Sequence, residues 1–164
     1  MSSSISVTLS NESGKTIQTA KIYHSASEPE ITSIALGGYD VAVNVSNLLP
    51  TQISPATSVP SDEWLPGDYW FGTIVFADNP STTYFIAAYA TIEGDLFPPY
   101  KECNVPSGGS ARISIKLEGN NANGGYIYVS NADGSDDGGA NFGVFDTQSI
   151  VACALLTGLA HAAI

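Results

Sequence analysis

Two segments of this chain alternate strictly between apolar and polar side chains. In residues 4–10 and 110–117, every second residue is apolar (Ile, Val, Leu or Ala), and the residues between them are Ser, Thr, Arg or Lys. A period of two is typical of a β-strand with one buried face and one solvent-exposed face. This pattern therefore predicts an all-β protein.

Weaker strand candidates follow along the chain. They are Thr16–Tyr23, Glu30–Leu36, Asp40–Val45, Tyr69–Ala77, Thr82–Thr91 and Tyr126–Ser130. The runs 70–76 and 84–89 are apolar on both faces, which indicates central strands. Residues 11–14 (Asn-Glu-Ser-Gly) form a short turn signal, so we expect the first two strands to pair as a hairpin. The whole pattern predicts an antiparallel β-sandwich of about eight strands.

A chain of 164 residues is one domain by size, here residues 1–164. Residues 48–66 hold four prolines among Ser and Thr and predict a long surface loop. Residues 120–125 and 131–139, rich in Asn, Asp and Gly, are interpreted as loops too.

The apolar segment 147–164 has no charged side chain, and Asp146 or Thr147 could cap a short helix there. Such a helix would pack on the sandwich or on a partner chain; a membrane-inserting tail, a final strand and a frayed end stay open.

The charge balance excludes several partners. The formal net charge is -11, and the five Lys and Arg residues form no cluster. Binding to nucleic acid is therefore excluded, as is charge-driven docking to an anionic membrane. Neutral lipid and carbohydrate stay open as ligands. The N-terminus has no basic and apolar leader, which fits a cytoplasmic chain or one secreted without a visible signal peptide.

The histidines and cysteines give no catalytic or zinc pattern. His24 and His161 are not linked by spacing to a nucleophile, and no CxxC, HxH or HExxH occurs. We therefore expect no enzymatic activity. Cys103 and Cys153 would be reduced thiols in the cytosol, with a disulfide between them as the alternative.

An acidic loop resembles the first half of a calcium-binding loop. Asp133, Ser135 and Asp137 occupy positions one, three and five of a D-x-S-x-D-G run that ends at Gly138. Oxygen ligands at this spacing suit Ca²⁺. The twelfth position is Val144 rather than Glu, so the loop is not an EF-hand. A solvated acidic turn rich in Gly is the favoured interpretation, and calcium is the alternative and the one candidate cofactor.

Aromatic and acidic residues cluster before the first central strand. The predicted ligand-binding residues are Asp62, Glu63, Trp64, Asp68, Tyr69 and Tyr100. Aromatic platforms beside carboxylates suit sugars, and Trp and Tyr also suit the lipid headgroup level. Trp64 is either a ligand contact or a lid on the sandwich, whereas Trp70 is expected in the core. Two prolines before Tyr100 either present its ring or form a rigid crossover.

Three segments together resemble a known family. They are Ser4–His24 (a strand, an Asn/Ser/Gly turn and a second strand), Asp68–Phe71, and Tyr100–Val105 leading through Ser107–Gly109 into Ser110–Leu117. In this order they resemble the "up-regulated in Daf-2" domain, whose fold is similar to that of aegerolysins. The resemblance implies a non-catalytic β-sandwich whose biochemical role the family does not define. Aegerolysins, which share the fold, are acidic proteins that recognise particular membrane lipids. Segments 48–66 and 147–164 have no counterpart in the family, so no binding residue is transferred.

The leading hypothesis is a non-catalytic binding module that recognises neutral lipid or glycan through exposed aromatic loops. The first alternative is a structural or interaction protein that forms homo- or hetero-oligomers through its apolar C-terminal segment. The second is a calcium-dependent lectin.

Overall fold

The computed structural model describes residues 3–29, 39–61, 67–92, 96–118 and 122–146. The strands are β1 (Ser3–Asn11), β2 (Ile17–Ser25), β3 (Asp40–Leu48), β4 (Thr57–Ser61), β5 (Tyr69–Phe76), β6 (Tyr84–Ala87), β7 (Lys101–Glu102), β8 (Ser110–Glu118), β9 (Ala122–Ser130) and β10 (Asp136–Asp146). The all-β prediction is confirmed, with ten strands in the described residues. The predicted strand 30–36 and the predicted C-terminal helix lie outside these residues.

The strands form a single sheet that curls into a nearly closed, barrel-like shape. Its order is β3-β2-β5-β6-β10-β9-β8-β1-β4, with β7 paired to β5. The end strands β3 and β4 contact each other. The sheet is mixed rather than antiparallel, because β1 pairs with β8 in parallel, from Ser6 opposite Ser110 to Asn11 opposite Ile115. Local turn signals do not predict this pair, since about a hundred residues separate its strands.

The predicted hairpin between the first two strands is wrong. β1 pairs with β4 and β8, whereas β2 pairs with β3 and β5. The fully buried side chain of Asn11 explains why β1 and β2 do not pair with each other. Its amide group donates to the carbonyls of Lys15 (2.7 Å) and Leu48 (2.9 Å). Asn11 Oδ1 accepts from the Ser13 amide at 3.1 Å. The turn is thus tied to the end of β3 and leads the chain across to the other side of the barrel.

The predicted loop 48–66 contains the short strand β4. Pro60 lies opposite Ser4 in its pairing with β1. β4 is an end strand of the sheet, where a residue without an N–H is tolerated. The preceding residues are fixed to β1 as well, because the Leu9 amide donates to Ser54 Oγ at 2.8 Å.

Strand β10 begins inside the segment interpreted as a loop. Gly and Asp are depleted in strands, so the composition of residues 131–139 favoured a loop. Aromatic rings cover two of the three glycines of this strand: a Cβ added at Gly139 would lie 2.5 Å from the Tyr126 ring, and one at Gly143 would lie 2.1 Å from the Phe145 ring. The rings replace the packing that the glycines lack. β9 likewise begins within the predicted loop 120–125.

The alternation of side chains sorts apolar residues into two clusters. The larger fills the interior and includes Trp70, which is fully buried, as expected. The smaller lies on the outer face of β5 and β6 and consists of Phe71, Phe85, Ala87 and Leu96, with Tyr23, Tyr39, Tyr100 and Phe145 packed against it. One region of the sheet therefore carries an apolar layer on both faces.

We expect Asn11→Ala to lower the free energy of unfolding by about 2 kcal/mol, because the buried Leu48 carbonyl and the partly buried Lys15 carbonyl lose their donor. Denaturant unfolding followed by circular dichroism measures the change. Asn44→Ala, at an exposed position of β3, is the control and should change stability by less than about 0.5 kcal/mol. Equal effects of the two substitutions would contradict this role for Asn11.

Candidate ligand-binding site

The start of β5 directs three consecutive side chains to different environments. Trp70 points into the core, Tyr69 points to the outer face, and Asp68 is buried just before the strand. On one side Tyr69 lies opposite Ser25 of β2, and on the other it lies opposite Glu102 of β7. Tyr69 is therefore fixed between two neighbouring strands.

Tyr69 and Tyr100 form an edge-to-face pair. Their ring centroids are 5.5 Å apart and the planes meet at 80°. Both side chains are partly buried, and the Tyr100 hydroxyl donates to Glu28 Oε1. Burial is the main cause that raises the pKa of both phenols, and the negative charges of Glu28 and Glu102 raise it further. Both tyrosines thus stay protonated and neutral at physiological pH.

The aromatic surface continues across β2. The Tyr23 ring stacks on Phe71 at 5.7 Å, and Tyr39 meets Phe71 edge-on at 5.0 Å. Phe71 itself is fully buried. We call the partly exposed residues Tyr23, Tyr39, Tyr69 and Tyr100 the tyrosine face.

Asp68, predicted as a ligand contact, faces the interior. Its Oδ1 lies 2.6 Å from His24 Nε2, and its Oδ2 accepts from the Val105 amide at 2.8 Å. The Asp68 backbone amide donates to Asn104 Oδ1 at 3.0 Å, and its carbonyl accepts from the Cys103 amide at 2.9 Å. Asp68 therefore fixes residues 103–105 to the start of β5 and so holds β7 beside Tyr69.

His24 is buried on the inner face below this site. An ionised carboxylate only accepts hydrogen bonds, so Nε2 carries the proton shared with Asp68. Its Nδ1 has no hydrogen-bond partner among the described residues. The ring lies 4.7 Å from that of Trp70, whose indole N–H donates to the Cys103 carbonyl at 2.9 Å. His24 and Trp70 thus support the same segment that Asp68 binds.

Cys103 has the properties of a structural thiol. It is buried, and burial is the main cause that raises its pKa to about 11. A protonated, buried thiol is a poor nucleophile. Its predicted alternative partner Cys153 lies outside the described residues, so the disulfide stays untested.

The acidic loop forms a turn closed by its own hydrogen bonds. Asp133 Oδ1 accepts from the Ser135 amide (2.9 Å) and hydroxyl (2.6 Å), and these bonds lower the pKa of Asp133. Asp137 is exposed at the start of β10. Within the described ranges, no three His, Cys, Asp or Glu side chains come close enough together to hold a metal ion. The calcium site stays a prediction.

A second group of exposed apolar side chains lies after β6. Residues 88–92 and 96–98 run side by side, joined by hydrogen bonds from Ala88 N to Pro98 O (3.0 Å) and from Phe97 N to Tyr89 O (2.9 Å). Tyr89 and Phe97 are 50% and 56% exposed and meet edge-on at 6.1 Å, while Ile92 is fully exposed. We call Tyr89, Ile92 and Phe97 together the exposed aromatic segment.

The predicted site is thus partly described. Tyr69 and Tyr100 lie in contact with each other. Asp68 is buried on the inner side and holds residues 103–105 against the start of β5. Asp62, Glu63 and Trp64 lie outside the described residues. Sequence reasoning missed Tyr23, Tyr39, Glu28 and Glu102, because their proximity depends on strand register. Of these four residues, Tyr23 could have been noticed, because it is an aromatic residue at the end of a predicted strand.

No family model matches the chain, and no curated protein sequence is significantly similar to it. The resemblance to the "up-regulated in Daf-2" domain therefore stays a prediction. The described residues include no helix with the length and apolar character needed to span a membrane.

We expect Asp68→Ala to lower the free energy of unfolding by about 3 kcal/mol, because the buried His24 and the Val105 amide both lose their acceptor. Thermal and urea unfolding measure the loss. Asp137→Ala removes an exposed carboxylate and is the matched control. If the two variants were equally stable, the positioning role of Asp68 would be refuted.

Proposed function

We propose that this chain is a non-catalytic binding module that recognises a glycan on the tyrosine face. The observation that carries the proposal is the pair of partly buried rings, Tyr69 and Tyr100, beside the carboxylates of Glu28 and Glu102. Ring faces pack against the C–H surfaces of a sugar, and carboxylates accept hydrogen bonds from its hydroxyl groups.

The rigidity of the surface supports this function. Tyr69 lies between two strands, Tyr100 is held by Glu28, and the segment after β7 is anchored by Asp68. A surface ordered before binding loses little conformational entropy when a ligand arrives. The tyrosine face therefore favours a ligand that is recognised by shape and by a few polar contacts.

The charge of the site limits the ligand. Both carboxylates and the net charge of -11 repel anions. Sulfated or uronic-acid glycans are thus disfavoured, and glycans without acidic groups are favoured.

We expect Tyr69→Ala to weaken glycan binding at least about tenfold, equivalent to about 1.4 kcal/mol, because a stacking surface is lost. Affinity electrophoresis in gels containing glycol chitin, hydroxyethyl cellulose, xylan or mannan measures binding. Tyr128→Ala is the control, since Tyr128 is an exposed tyrosine on β9, distant from β5 in the sheet order. Retention of a folded Tyr69→Ala variant equal to that of the parent protein would overturn the assignment, and so would the absence of binding to any polysaccharide.

A neutral lipid surface is the second candidate, favoured by the exposed aromatic segment. Tyr89, Ile92 and Phe97 are exposed on residues 88–92 and 96–98, which run side by side. Aromatic rings are favourable at the headgroup level of a bilayer. The acidic chain would be repelled by anionic lipids, so the lipid would have to be zwitterionic or uncharged.

For this second function, we expect the double substitution Tyr89→Ala/Phe97→Ala to abolish cosedimentation with phosphatidylcholine vesicles, because the apolar contacts with the bilayer are removed. Tyr69→Ala should leave vesicle binding unchanged and serves as the control. A parent protein that stays in the supernatant would contradict the lipid function.

The other sequence-based hypotheses stay predictions. Oligomerisation through residues 147–164 concerns a segment outside the described residues. The calcium-dependent lectin rests on Asp133, Ser135 and Asp137, and the cytoplasmic or secreted location is likewise untested.

A further inference from the structure

The two carboxylates of the tyrosine face have no cationic partner among the described residues. Lys15 forms an ion pair with Asp78, and His24 contacts Asp68. Glu28 and Glu102 are both exposed and belong to neither pair. Their negative charges therefore act directly on the rings beside them.

Among the described residues, no lysine or arginine forms an ion pair with Glu28 or Glu102, although Lys21 does lie on the tyrosine face. All five such residues lie within the described ranges: Lys15, Lys21, Lys101, Arg112 and Lys116. Lys21 lies over the Tyr23 ring at 5.5 Å, and Arg112 lies over the Tyr128 ring at 4.4 Å.

Lys101 and Lys116 do not neutralise the pair either. Lys101 is next to Glu102 in β7, and successive side chains of a strand point to opposite faces. It lies opposite Trp70, the residue of β5 that points inward. Lys116 belongs to β8, which lies four places from β5 in the sheet order.

The resulting surface combines two features that attract a cation. Carboxylates attract positive charge directly, and the face of a tyrosine ring attracts it through the negative charge of its π-system. Burial is the main cause that raises the pKa of Tyr69, and the nearby charges of Glu102 and Glu28 raise it further. The net charge of -11 adds a long-range attraction for cations.

We propose that the glycan bound on the tyrosine face carries protonated amino groups, as a glucosamine polymer does. The inference rests on the proposed glycan-binding function. An ammonium group of the sugar donates to Glu28 and Glu102 while the sugar ring packs against Tyr69. An N-acetylated sugar is neutral at the same position and forms no ion pair.

The test compares glucosamine hexamer, N-acetylglucosamine hexamer and cellohexaose by isothermal titration calorimetry at mildly acidic pH. We expect the glucosamine hexamer to bind at least about tenfold more tightly than the other two. That preference should disappear near 1 M salt, where the Debye length is about 3 Å. Glu28→Gln and Glu102→Gln should each remove most of this preference. Glu12→Gln, which changes an exposed glutamate just after β1, should retain it.

The outcomes separate the two proposals. Equal binding of all three hexamers, unaffected by either Gln substitution, would overturn the amino-sugar inference and leave the glycan-binding function standing. Failure to bind any of the hexamers or the polysaccharide gels would overturn both. A preference for the glucosamine hexamer that Glu12→Gln weakens as much as Glu28→Gln would show unspecific attraction to an acidic protein, which also overturns the inference.

Discussion

The buried contact between Asp68 and His24 is the interaction on which the candidate site depends. A carboxylate is costly to bury unless its oxygens accept hydrogen bonds, and here His24 and the Val105 amide supply them. Because Asp68 directly precedes Tyr69, the same contact fixes where β5 begins and brings the segment after β7 against it. The surface that carries Tyr69 and Tyr100 is thus set by a polar contact inside the protein.

The two-residue period of the strands explains how one short region serves both the core and the site. In β5, Trp70 faces the interior, while Tyr69 and Phe71 on either side of it face outward. An apolar residue exposed on the outer face of a strand is costly, and here Phe71 is covered by the rings of the partly exposed Tyr23 and Tyr39. The outer layer therefore stabilises the sheet and offers polar groups at the same time.

The sequence predicted what depends on local pattern. The strands at residues 4–10 and 110–117 and the buried Trp70 follow from alternation and are confirmed. The binding role of Tyr69 and Tyr100, which composition suggests, stays a prediction. The partners of β1 did not follow, since a buried Asn11 decides where the chain goes after this strand. β10 was missed because its Gly and Asp content favoured a loop, and the packing of Gly139 by Tyr126 of β9 depends on strand register. Glu28 was missed because it meets Tyr100 only through tertiary structure.

The parallel pairing of β1 with β8 also affects the order in which the protein can fold. β1 ends at Asn11, whereas its neighbour begins at Ser110, so β1 lacks that partner until most of the chain exists. Closing so long a loop is entropically costly, and sheets built from distant strands fold slowly. Until then the alternating strand at the N-terminus has an open edge, which is a template for pairing with other chains. A growing polypeptide would thus be most prone to aggregate before β8 has been synthesised.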